Sequence, residues 1–138
     1  DVELLRLAAH QHGVVSIEQA DRNCGIPAHR IRRWRRSGHL VEIAPGVVRI
    51  ASSVETFPMR CMALQLSWSD TGFLSAWTAA RLYGVRSMPD RPIHFTVPLG
   101  RRHADPPWAD VHRSSWYDAA TDTLRRIDGL VVADPLRT

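Results

Sequence analysis

Residues 25–50 read GIPAHRIRRWRRSGHLVEIAPGVVRI. Gly25-Ile26-Pro27 spells a tight turn, and Pro27 suits the first position of a helix, where its missing N–H costs nothing. The pattern predicts that helix over Ala28–Ser37, with Gly38 as its cap. Two β-rich runs follow, His39–Ile43 and Val47–Ala51, separated by Ala44-Pro45-Gly46. Such runs around a Pro-Gly turn predict a hairpin. On a helical wheel, Pro27, Ile31, Trp34 and Gly38 fall on one side and His29, Arg32, Arg33 and Arg36 on the other, with Arg30 and Arg35 on the flanks. Apolar and arginine stripes are therefore separated within one short helix.

Upstream, Val2, Leu4, Leu5, Leu7, Ala8 and Ala9 recur at helical spacing until Gly13. Ser16 is a good N-cap, and Gln19 stands at capping-box distance from it. A short helix is expected from Ile17 to about Asn23, ended by Cys24-Gly25. Helix, short helix, tight turn, basic helix and hairpin make up the order of a winged helix-turn-helix. This domain is assigned to residues 1–51.

After Ser52-Ser53 the pattern changes. Phe57-Pro58 to Trp68 predicts an amphipathic helix with Met59, Met62, Ala63 and Leu66 inward, and a second helix is expected over Ala76–Tyr83, stopped by Gly84. Ile93, Phe95 and Val97 alternate within Pro92–Pro98, as in a half-buried strand. Leu99–Ala109 reads as a loop, Asp110–Arg113 as a short strand and Trp116–Leu124 as a turn or short helix. Arg126–Ala133 reads as a strand entered through Asp128-Gly129, and Asp134–Thr138 as the opening of a helix. Residues 52–138 are expected to form a small mixed α/β subdomain, which makes the whole chain α+β.

The chain has 138 residues, of which 44% are hydrophobic and 23% charged, so a packed core is expected. All 18 basic residues are Arg. With no Lys, phosphate loops of the Walker type and Schiff-base chemistry are excluded for these residues. Cys24 and Cys61 form neither a CxxC pair nor a disulfide framework. No apolar run approaches the ~20 residues of a membrane span, so no membrane partner and a cytoplasmic location are expected. The first residue is Asp1, and a trimmed native start is expected. The net charge of +4 is uneven: residues 1–21 carry −3, residues 22–51 carry +6 and residues 52–138 carry +1. Five arginines crowd between Arg30 and Arg36 with no acid among them. Like charges at i,i+3 and i,i+4 repel, so the run points to an anionic partner, double-stranded DNA.

Arginine serves both tasks at DNA. Its planar fork can grip the O6 and N7 of guanine, or hold phosphate without reading sequence. The expected DNA-binding residues are His29, Arg30, Arg32, Arg33, Arg35, Arg36 and Arg49. The first four fall in the first two turns and are expected to include the base readers; Arg35, Arg36 and the wing's Arg49 suit backbone contacts. Elsewhere, His94, His112, Asp110 and Asp128 could converge on one sheet as an acid–base set, although half-exposed strand positions explain them as well. The five tryptophans read mainly as packing residues, and Trp108 and Trp116 flank a loop containing Arg101, Arg102, His103 and Arg113. The histidines show no metal-ligand spacing. No catalytic residue, metal or cofactor is expected, and the chain does not read as an enzyme.

The ordered set GVVSIEQA, GIPAHRIRRWRRSGHLVEIAPGVVRI, FLSAWTAARLYGV, IHFTVPLGRR, VHRSS and DGLVVADPLRT resembles the N-terminal region of AbiE-type (type IV) toxin–antitoxin antitoxins, the AbiEi family, and of related actinobacterial proteins. Two positions depart from the family pattern: Val48, where a Tyr is usual, and Ala76, where a His or similar polar residue is usual. The resemblance implies a winged helix, at Ala28–Ser37 with its wing at Leu40–Ile50, that binds operator DNA in its own promoter and represses the operon. It also implies a cognate toxin as partner, met through regions outside this chain. Family members continue past Asp134–Thr138, so a C-terminal truncation relative to the family is expected. Two alternatives stand beside the repressor reading. One is the DNA-targeting domain of a restriction-endonuclease-like protein; the other is an arginine-rich module that binds an acidic protein.

Overall fold

In a computed structural model that describes residues 1–100, 104–115 and 123–134, helices and strands build two mixed α/β units, Asp1–Ser67 and Trp68–Thr138. The first unit opens with helix α1 (Val2–His10), strand β1 (Val14–Ser16) and helix α2 (Ile17–Cys24). Asp1 caps α1 by accepting from the Leu4 amide. Ser16 and Gln19 close the capping box at α2: the Ser16 hydroxyl accepts from the Gln19 amide, and the Gln19 side chain accepts from the Ser16 amide, both at 3.0 Å. Such a cap contributes about 1 kcal/mol. Gly25, at φ 68°, ends α2 in the left-handed region, where a Cβ would be strained.

Helix α3 (Ala28–Arg36) and the hairpin β2 (Leu40–Ala44) and β3 (Val47–Ile50) follow. Pro27 is the N-cap of α3 rather than its first residue, and Ser37 is its C-cap. Strand β1, which the sequence reading missed, pairs antiparallel with β3 and completes a sheet of order β1-β3-β2. In β3, side chains alternate between the two faces of the sheet. Val48, with Val15 and Leu40, joins Leu4, Ala8, Ala20, Ile26 and Ile31 in a core under α1–α3. Val14 and Val47 are fully buried on the opposite face. That face is covered by helix α4 (Phe57–Ser67), which packs on all three strands. Helix α4 therefore belongs with the first unit, whereas the sequence reading assigned it to residues 52–138. It is also not amphipathic: Met59 through Leu66 are all buried, including Arg60 and Gln65. Burial holds the Cys61 thiol far above its ordinary pKa and leaves it an inert packing group.

The second unit holds strand β4 (Phe73–Leu74), helix α5 (Ala76–Leu82), and strands β5 (Ile93–Pro98), β6 (Ala109–Ser114), β7 (Leu124–Ile127) and β8 (Leu130–Ala133). They form one sheet in the order β6-β5-β4-β8-β7. One sequence expectation is corrected here, and one strand is added. Arg126–Ala133 is not one strand but the end of a hairpin, because Asp128 and Gly129 both take positive φ and turn β7 back on β8. That is the backbone a two-residue Asp-Gly loop favours. Phe73–Leu74 is a strand, pairing with β5 and β8. The elements expected over Trp116–Leu124 and Asp134–Thr138 lie largely outside the described residues. No described helix is long and apolar enough to cross a membrane.

Candidate nucleic-acid interface

Helix α3 carries its charges where the wheel puts them. Ile31 is fully buried, and His29, Arg30, Arg32, Arg33 and Arg36 are exposed. Burying an Ile side chain contributes about 1.5–3 kcal/mol, enough to fix the rotation of a nine-residue helix. Trp34 differs from expectation: it is half-buried, with the Arg30 guanidinium 5.6 Å from its ring centre. That contact keeps Arg30 against the helix while leaving its outer edge open. Arg33, Arg35 and Arg36 sit in the last turn of α3, where the carbonyl end of the helix dipole favours positive charge. This partly offsets their mutual repulsion. Among the described residues, Arg32, Arg33 and Arg36 make no ion pair.

Arg35 is half-exposed and turns toward the hairpin, 3.6 Å from Glu42 of β2. A groove of about 570 Å³ runs between α3 and β2, lined by Arg32, Arg35, Arg36, Gly38, Leu40, Val41 and Glu42. Glu42 is the one acid at its edge, and sequence reasoning passed over it; its place opposite a basic helix was the available signal. The hairpin turn is tied down. The Gly46 carbonyl accepts from the Ile17 amide at 2.8 Å, and the Pro45 carbonyl accepts from the Ser67 hydroxyl at 2.8 Å.

Arg49 does not join this face. The register sets it opposite Val14 and Val41, on the α4 side of the sheet. Its Nη1 donates to the carbonyls of Ile50, Ala51 and Ser53 at 3.1–3.2 Å. Its Nη2 lies 4.0 Å from Glu55, which also lies 4.0 Å from buried Arg60. With Nη1 directed at the carbonyls of the turn after β3, this guanidinium braces the backbone. The sequence reading expects Arg49 at DNA; the register sets it on the opposite face of the sheet from Val48.

Of the other candidates, His94, Asp110 and His112 come together, while Asp128 lies at the β7–β8 turn, on the opposite edge of the sheet. Trp68 is buried and Trp77 is exposed. Arg101, Arg102, His103 and Trp116 lie outside the described residues.

Comparison with known proteins bears out the resemblance over α1–α3 and the β2–β3 hairpin: residues 2–51 match the family model described as transcriptional regulator, AbiEi antitoxin. No curated protein matches the chain. Among solved structures, the RV2827C protein from Mycobacterium tuberculosis has a similar fold, with a TM-score of 0.57 at 20% identity. The match covers 89% of this chain and 47% of that one, so the chain spans about half the length of that protein.

Proposed function

We propose that the chain is a DNA-binding transcriptional regulator of the AbiEi antitoxin type, and that α1–α3 with the β2–β3 hairpin act as a winged helix-turn-helix. The carrying observation is the outer face of α3, where Arg32, Arg33 and Arg36 stand exposed without an acidic partner among the described residues while Ile31 anchors the opposite side. Such a helix suits the major groove, where its N-terminal half meets base edges. His29, Arg32 and Arg33 read bases in this proposal. Arg30, braced on Trp34, and Arg36 hold phosphates. Arg35 is shared between phosphate and Glu42. Arg49 supports the wing from behind and touches no DNA. The match over residues 2–51 supports the regulatory role, and the natural site is the operator upstream of the gene itself, where binding represses transcription. No catalytic step belongs to this reading.

Footprinting of the chain on its own upstream DNA tests it. The expected result is a protected site that survives excess scrambled duplex. Equal loss to both competitors would remove the sequence-specific role.

A further inference from the structure

We propose that His94, Asp110 and His112 form a binding site for a zinc-class divalent transition-metal ion. The linear sequence hides the set, because His94 is on β5 and the other two are on β6. Parallel pairing sets His94 opposite Asp110 and Thr96 opposite His112. Positions i and i+2 of a strand share a face, so the three side chains meet on one side of the sheet. His94 Nδ1 and His112 Nε2 are 3.0 Å apart. Asp110 Oδ2 lies 3.6 Å from the first, and Asp110 Oδ1 lies 3.8 Å from the second. With one ligand atom from each residue, all three lie within 4.8 Å of one another. Two ligand atoms at roughly 2.1 Å from a tetrahedral zinc ion are roughly 3.4 Å apart, so small side-chain rotations bring the set to the required spacing. Two imidazoles and a carboxylate are also the donor types that suit zinc and its neighbours rather than calcium or magnesium.

The surroundings supply one fixed ligand and two adjustable ones. The His94 side chain is 7% exposed, against 49% for Asp110 and 47% for His112. His94 is held by its backbone amide, which donates to Thr78 Oγ1 at 2.8 Å, and by Trp77, whose ring stands at right angles beside it. Burial lowers the pKa of His94, which keeps an imidazole lone pair available at neutral pH. The two histidine rings are nearly parallel, with centres 5.3 Å apart. Without an ion, a single hydrogen bridges the two nitrogens. With one, His112 carries its proton on Nδ1, its half-exposed ring tilts, and both lone pairs converge on the cation. The Asp110 carboxylate offsets part of the charge. Three protein ligands with an exposed mouth leave a fourth position for water or another small ligand.

The test uses the full chain without an affinity tag. Co²⁺ is titrated in and the visible ligand-field band followed, then Zn²⁺ is added in competition, with a thermal melt in parallel. The expected result is one Co²⁺ per chain, displaced by Zn²⁺, and a melting temperature raised by Zn²⁺. His112→Ala and Asp110→Asn change exposed side chains and should fold, which circular dichroism checks. Each should weaken binding more than about tenfold and abolish the thermal shift. A double His10→Ala/His12→Ala variant should behave as wild type. No band in the wild type, or equal binding by His112→Ala, would overturn the site and leave a hydrogen-bonded histidine pair.

Discussion

On the outer side of α3, Arg32, Arg33 and Arg36 carry charge into solvent and make no ion pair among the described residues. On the far face of the neighbouring sheet, Arg49 directs Nη1 at three carbonyls and lies near Glu55, as does buried Arg60. Both regions are basic, and both fall within the first unit. The difference is partnership. A guanidinium tied to its own backbone and placed near an acid contributes to stability. One left unpaired on a helix whose other side is locked into the core is available to a ligand. Charge counting puts Arg49 with the α3 arginines; strand register separates them.

The contrast can be broken by substitution, beginning with the residue that sets the rotation of α3. Ile31→Ala should cost about 2–5 kcal/mol of stability, because it leaves a cavity in a fully packed core. A denaturant melt checks it, and an unchanged midpoint would mean that the arginine face is not fixed by this anchor. Arg49→Ala should cost about 2 kcal/mol by stripping charge-assisted bonds from three carbonyls. DNA affinity of the folded fraction should stay at the wild-type level. Loss of affinity without loss of stability would move Arg49 back to the DNA face.

Arg32→Ala and Arg33→Ala should show the reverse pattern. Each should lose ~1–3 kcal/mol on the specific duplex, little on a scrambled one, and nearly nothing in a melt. Competition between the two duplexes measures this, and equal losses on both would make these residues phosphate contacts. Glu42→Gln should have the smallest effect. An exposed ion pair such as Arg35–Glu42 contributes about 0.2–1 kcal/mol. Its removal should barely shift the melt, while freeing Arg35 and removing a negative charge from the groove edge should tighten DNA binding slightly. Weaker binding by this variant would show that Glu42 orients Arg35 productively.

How far these roles could be read from sequence depended on the length of the repeating pattern. Helices α1–α3 and the β2–β3 hairpin were legible because caps, turn residues and periodicity agree there, from Ser16 and Gln19 through Gly25 to Pro45-Gly46. Strands β1 and β4 were not. Val14–Ser16 and Phe73–Leu74 are too short to show a period, and pairing with distant partners creates them. Asp128-Gly129 reads in sequence as the entry to one strand, although Asp-Gly between apolar runs is a strong hairpin signal. The burial of α4 on every side also escaped, because Arg60 and Gln65 look like a solvent face in sequence. In the arginine site, exposure of His29, Arg32, Arg33 and Arg36 followed from the wheel. The positions of Arg30, Arg35 and Arg49 required knowing which neighbours take their donors or ring contacts.

The account rests on α3 meeting duplex DNA through its unpaired arginines, and salt dependence measures that most directly. Fluorescence anisotropy of a labelled upstream duplex, titrated at several salt concentrations, gives the slope of log affinity against log salt. Each phosphate contact should contribute about −0.9 to that slope. We predict a steep slope for the wild-type chain and a clearly shallower one for an Arg32→Ala/Arg33→Ala/Arg36→Ala triple variant that melts as wild type. A slope near zero in the wild type, or the same slope in both proteins, would contradict the assignment of DNA binding to this face.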